Sequence, residues 1–356
     1  MHRIDELLLA ILDKGGSDLH ISTDSKPIIR LHGDLVTLED FPILTSADTE
    51  EFFSEILTDD QKSELDQERA VSFCYEMSFD QEEYRFRASV FEQRRGWDGA
   101  FRVIPLQIPS MEELNIPDSV KHFSDLQQGL VVVTGSSGCG KTTTLAAIIN
   151  YMNENYNKHI ITLEEPIEYI HSHKSSIIRQ REINLHTPSY KDALMAAMRE
   201  DPDVILIGEM VDADSIQFAM TAAETGHLVF STLHTSSAAR TIDRLIDSFP
   251  ARQQAQVRIM LSESLKGVVS QQLLKKKDGK GRVAAFEILT GCVPLATIIR
   301  ERRTFQIPSL IQTSKSLGMQ SMDISLLNLY ERGFISAETA FEAATDETMF
   351  ESLVKK

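Results

Sequence analysis

The sequence predicts an α/β chain: a small N-terminal α+β domain, then a larger domain on a parallel sheet with a mainly helical C-terminal part. Three observations predict it. Several short strand-like runs and two helical patterns crowd the first hundred residues. Three prolines, Pro105, Pro109 and Pro117, then interrupt the chain. Beyond residue 129, short apolar runs alternate with helical patterns, as in a parallel sheet covered on both faces. The reading divides the chain into residues 1–103, a linker at 104–118, and 119–356. Each proline fixes φ and disfavours helix in the residue before it, which marks the linker.

Leu7–Leu12 reads as an amphipathic helix stopped by Gly15-Gly16. Asp18–Ser22, Ile28–Leu31 and Leu35–Leu38 read as strands, the last two joined at Gly33-Asp34. A helix over Ala47–Gln67 precedes strands at Ala70–Met77, Tyr84–Gln93 and Gly99–Ile104. In the second part, strands are expected at Gly129–Thr134, His159–Leu163, Val204–Ile207 and His227–Thr232. Helices are expected at Thr143–Asn155, Tyr190–Arg199 and Ser215–Glu224. From Pro250 onward helix dominates, apart from Arg282–Leu289 and a lysine-rich hairpin turn at Lys275–Gly281.

The 356 residues are 42% hydrophobic and 25% charged, ordinary globular proportions for a chain of two or three domains. A net charge of -17 disfavours a nucleic-acid partner. Three scattered cysteines with no CxxC pair suit a reducing compartment and exclude a thiolate zinc site. Met1–Leu12 carries Asp5 and Glu6 and lacks a cleavage signal, so it is not read as a leader. No run approaches the roughly 20 apolar residues that span a bilayer. A cytoplasmic protein without a transmembrane segment is therefore expected.

Chemistry concentrates after the strand at 129–134. Gly135-Ser136-Ser137-Gly138-Cys139-Gly140-Lys141-Thr142 fits G-x-x-x-x-G-K-[ST] between a strand and a helix. Glycines there let backbone N–H groups turn inward around phosphate oxygens, and the helix N-terminus adds its positive dipole end. Lys141 is expected on the β- and γ-phosphates of ATP, Thr142 on Mg2+, and Thr143 near the α-phosphate. Glu209, closing the apolar segment Val204–Gly208 at a second sheet-edge position, is the expected carboxylate near the metal. Glu164, in the acidic box Thr162–Tyr169, is expected to polarise the attacking water, and Glu168 to be structural. His227 and His234, at either end of HLVFSTLH, are candidate phosphate sensors, and Cys139 is a candidate thiol-sensitive position. His171 and His173 read as a solvated loop.

The order of these boxes resembles the secretion ATPase superfamily, and within it the motors that retract type IV pili. GGSDLHIS at Gly15–Ser22, RFRASVFEQRRG at Arg85–Gly96, FRVIP at Phe101–Pro105 and GMQSMDISL at Gly318–Leu326 extend the likeness over nearly the whole chain. The resemblance implies a PAS-like N-terminal domain, a RecA-like P-loop ATPase domain and a homohexameric ring. It implies arginine fingers matching Arg85, Arg87 and Arg102, and docking at the inner-membrane base of the pilus on a platform protein. The family pattern has Asp at Glu165, Arg at Val211 and commonly Ser at Cys139, and Pro294–Glu301 keeps the retraction motif only in part. An accessory retraction ATPase, an extension or type II secretion assembly ATPase, a nucleic-acid translocase and a non-hydrolysing nucleotide-gated module are the competing readings.

Overall fold

Alternating burial along its strands and a separate helix-covered core distinguish the first of two compact units, Met1–Gln107 with Pro166–Ile170, from the second, Ile108–Glu165 with His171–Lys356. The computed structural model describes residues 2–31, 33–104, 106–210 and 212–354. Pro105 of the expected linker and Val211 lie outside the described residues.

The first unit runs α1 (Arg3–Lys14), β1 (Asp18–Ile21), β2 (Ile28–Leu31), β3 (Asp34–Thr37), α2 (Ser46–Ile56), α3 (Asp59–Glu68), β4 (Ala70–Phe79), β5 (Glu82–Gln93) and β6 (Gly96–Ile104). Its antiparallel sheet has the order β3-β2-β1-β6-β5-β4. Ile4, Leu8 and Ile11 of α1 and Phe53 of α2 pack with Leu19, Phe86 and Phe101 of the sheet, all fully buried. Each such side chain contributes about 1.5–3 kcal/mol. The helix expected over Ala47–Gln67 is two helices. Thr58 divides them because its hydroxyl accepts the Gln61 N–H while the Gln61 side chain accepts the Thr58 N–H, a capping box that starts α3.

The second unit contains α4 (Asp118–Lys121), β7 (Gly129–Thr134), α5 (Lys141–Asn155), β8 (His159–Glu164), β9 (Ile177–Glu182), α6 (Tyr190–Ala197) and β10 (Val204–Ile207). It continues with α7 (Ala213–Glu224), β11 (Leu228–Leu233), α8 (Ala238–Asp247), α9 (Gln254–Ser264), β12 (Leu265–Lys275) and β13 (Arg282–Thr290). Short helices α10 (Val293–Arg300), α11 (Ile307–Thr313), α12 (Met322–Glu331), α13 (Ala337–Ala343) and α14 (Glu351–Val354) follow. The sheet order is β13-β12-β7-β11-β10-β8-β9, parallel except for β13.

Period two divides β7 between two cores. Leu130 and Val132 join a core with α7 to α10, and Val131 and Val133 join one with Leu145, Ile148 and Met152 of α5. That is why β7 reads as continuous apolar sequence. Met111 and Ile116, within the expected linker, are buried in the α5-side core. Strands β9 and β12 were not expected. β9 is an edge strand with polar Arg179, Gln180 and Arg181, and β12 directly follows α9, so its apolar residues read as more helix. Among the described residues no helix is long and apolar enough to cross a membrane.

Candidate active site

Parallel pairing decides which side chains can meet. In register, Thr134 lies opposite Leu233, and Ile207 lies opposite both Ser231 and Leu163. The segments leaving β7, β8, β10 and β11 therefore emerge at one edge, where open α/β sheets bind ligands. These segments carry the loop 135–141, Glu164, Glu209 and His234.

The loop is built around glycine. Gly138 and Gly140 take φ of +74° and +91°, which side chains with a Cβ rarely adopt. At Gly135 a Cβ would sit 2.4 Å from the Gln271 carbonyl oxygen and 2.5 Å from the Cys139 sulfur. Ser136, Ser137 and Gly138 face solvent, and Thr142 and Thr143 are half-buried in the first turn of α5. Lys141 is buried, with Nζ 3.0 Å from the carbonyl oxygens of both Gly135 and Ser136. Burial pushes its ammonium below the ordinary lysine value.

Lys141 Nζ also lies 3.2 Å from His234 Nδ1, and His234 Nε2 lies 3.1 Å from Glu209 Oε1. An ammonium can only donate, so Nδ1 accepts and the Nε2 proton faces Glu209. His234 thus joins the loop lysine to the acid beyond β10. Glu164 is buried at the end of β8, and its Oε1 accepts from the Thr162 hydroxyl at 2.7 Å and from Gln180 Nε2 at 3.2 Å. Glu165 is exposed and accepts from Asn184.

Sequence reasoning missed Gln271. Deep in β12 and 2% exposed, its Nε2 donates to the Cys139 carbonyl at 2.5 Å, and its Oε1 accepts from the Thr144 hydroxyl at 2.8 Å. It ties the loop to the first turn of α5 from beneath. The only signal was the polar run Ser270-Gln271-Gln272 between the apolar pairs Val268-Val269 and Leu273-Leu274.

Several expectations need correction. His227 precedes β11 at the opposite sheet edge from the loop, with Nδ1 3.1 Å from the Ala222 carbonyl, so it is a structural histidine and not a phosphate sensor of this pocket. Cys139 is buried and burial pushes its thiol up, both of which run against the expected thiol sensitivity. His171 is buried rather than solvated; burial first, then Lys174, holds its imidazole down at about 4.

The three arginines lie in the first unit. Arg85 is largely buried: Nε donates to Glu76 at 2.9 Å, and the two terminal nitrogens donate to the carbonyls of Glu168 (2.8 Å) and Ile167 (3.2 Å). With its donor fork engaged, Arg85 is a clamp on the segment 166–170, not a free finger. Arg87 and Arg102 are exposed and sit directly opposite each other on β5 and β6. Like charges so placed repel. Glu168 at 3.1 Å from Arg87 and Asp18 at 2.8 Å from Arg102 offset that. Burial pushes the Asp18 carboxyl up, but the Ser17 hydroxyl and Arg102 outweigh it and hold it below the usual range.

Comparison with known proteins places this geometry. The family model for type II/IV secretion system proteins matches residues 1–316. The type IV pilus retraction ATPase PilT of Pseudomonas aeruginosa is 46% identical over 341 residues, 96% of this chain and 98% of that protein. The type IV pilus ATPase PilU of the same organism is 36% identical over 99% of this chain and 91% of its own length. A crystal structure of the pilus retraction motor PilT with bound ADP superposes with a TM-score of 0.86, at 42% identity over 99% of each chain.

Proposed function

This chain belongs to the type II/IV secretion system protein family, and from that premise we propose that it is the ATP-hydrolysing motor of type IV pilus retraction. One observation carries the reading: the glycine loop, Lys141, His234, Glu209 and Glu164 converge at a single carboxyl edge of the sheet. The chain is a P-loop ATPase of mixed α/β fold, and its greater identity to PilT than to PilU favours the principal retraction role over the accessory one.

In this proposal the inward N–H groups of 135–141 cradle the phosphates of ATP. Lys141 leaves the Gly135 and Ser136 carbonyls for the β- and γ-phosphates. A partly desolvated ammonium is already short of hydration, so the exchange costs less. Mg2+ suits the hard oxygen donors of Thr142 and Glu209, and when bound it neutralises charge at the β- and γ-phosphates. Glu164 orients the attacking water, and His234 transmits the state of the loop to Glu209. Arg87 and Arg102 are the arginine fingers, acting across a homohexameric ring on a neighbour's nucleotide. The boundaries 1–103, 104–118 and 119–356, a cytoplasmic location at the inner-membrane base of the pilus, and a platform-protein partner belong to the same proposal.

The test pairs chemistry with phenotype. Purified protein should release phosphate from Mg-ATP, and a deletion strain should be non-motile and hyperpiliated. Bald cells would assign extension instead; no turnover in the assembled ring would remove the motor reading.

A further inference from the structure

Gln180 stands on the edge strand β9, and nothing in the nucleotide reading calls for it. In the β8–β9 ladder it lies opposite Thr162, while Glu164 lies opposite Glu182. Period two puts Thr162, Glu164 and Gln180 on one face of the sheet. From there the Gln180 carboxamide spans two groups. Its Oε1 accepts from the His171 backbone N–H at 2.8 Å, and its Nε2 donates to Glu164 Oε1 at 3.2 Å.

The amide has only one workable orientation. A backbone N–H can only donate, so the oxygen must face His171 and the NH2 group must face the carboxylate. The His171 loop is itself fixed. Asn153, fully buried on α5, donates to the Ser172 carbonyl at 2.7 Å and accepts the Lys174 N–H at 3.1 Å. A continuous set of hydrogen bonds therefore runs from the helix that follows the phosphate loop, through the His171 loop and Gln180, to Glu164. Thr162 joins it at the same carboxylate oxygen, at 2.7 Å.

We propose that Gln180 is a positioning residue of the hydrolytic reaction, holding the Glu164 carboxylate in the orientation from which it directs water at the γ-phosphate. The inference rests on the reading of Glu164 as the water-orienting acid. Neutral donors to a carboxylate stabilise its charged form without cancelling the charge, which suits a group that must attract a water proton. The Thr162 hydroxyl reaches the carboxylate from its own strand, and Gln180 reaches the same oxygen from the neighbouring strand.

The experiment is single-turnover ATP hydrolysis with the full-length protein carrying Gln180→Met, Glu164→Gln or both, alongside equilibrium ATP binding. Methionine keeps the length of the side chain and loses both hydrogen bonds. The expected result is a fall in the hydrolysis rate of about 10- to 100-fold, the scale of a misplaced catalytic group. ATP affinity should stay within about twofold, since positioning acts on the chemical step rather than on uniform binding. Adding Gln180→Met to Glu164→Gln should cost nothing further. Gln180→Asn, which retains both amide functions on a shorter stem, gives the same test if the methionine variant is poorly folded; it too should lose rate and keep affinity. A hydrolysis rate close to wild type in the Gln180 variants, with Glu164→Gln inactive, overturns the inference alone. A further loss when Gln180→Met is added to Glu164→Gln overturns it too, because Gln180 would then act by another route. Undiminished hydrolysis in Glu164→Gln overturns the underlying reading of Glu164.

Discussion

Replacing Gln271 with leucine should loosen the phosphate loop from below. The volumes are close, so the change is chiefly a loss of hydrogen bonds rather than a new cavity. Two are lost: the donation to the Cys139 carbonyl at 2.5 Å and the acceptance from Thr144 at 2.8 Å. Both partners are buried, and each group left unsatisfied costs about 1–3 kcal/mol. Taking about 3 kcal/mol together, and about 2–4 °C per kcal/mol for a unit of this size, the melting temperature should drop by about 6–12 °C. The loop would also lose its preset shape, so ATP affinity should weaken alongside stability. Differential scanning calorimetry with and without nucleotide, together with equilibrium titration of a fluorescent ATP analogue, reads both effects. A melting temperature within about 2 °C of wild type and an unchanged dissociation constant would refute the assignment of Gln271 as the support of the loop.

Glu209→Gln should still bind ATP but hydrolyse it at least about 10-fold more slowly, since the proposed metal-side charge is gone; phosphate release at saturating Mg-ATP checks this. Stability should depend on pH through His171. Its imidazole is held at about 4 against an ordinary 6.5, so the unfolded chain takes up the proton first. The stabilisation is complete above about pH 6.5 and is lost on acidification toward 4, on the order of 3 kcal/mol in all. Urea titrations across that range should slope in wild type and flatten in His171→Gln. A thiol-reactive dye should label Cys74 and Cys292, both half-buried, well before the buried Cys139, with Cys139 reacting readily only in urea.

The parallel sheet and the phosphate loop were legible because each is encoded locally. A strand buried on both faces must be continuously apolar, as Leu130, Val131, Val132 and Val133 are, and the loop needs glycine wherever backbone must pass close or turn left-handed. Glu164 and Glu209 stood out in the sequence because an acid closing an apolar run is unusual. What stayed hidden depends on distant partners. Gln271 and Gln180 are ordinary glutamines until β12 and β9 are placed beside β7 and β8. Arg85 looks like any strand arginine, and its clamp is formed with carbonyls that carry no side-chain signature. His227 and His234 look equivalent in sequence; only the direction of β11 separates them, one at each end of the strand.

The segment 166–170 counts with the first unit although it is encoded after the phosphate loop and β8. A nascent chain leaving the ribosome therefore cannot finish its N-terminal unit when Gln107 emerges. Arg85 must wait for the Ile167 and Glu168 carbonyls, and Arg87 for the Glu168 carboxylate. Excising residues 1–107 as a stand-alone fragment would strand a mostly buried guanidinium without two of its acceptors. The cut that sequence position suggests is not one that biosynthesis, or a fragment cloned for expression, can make cleanly.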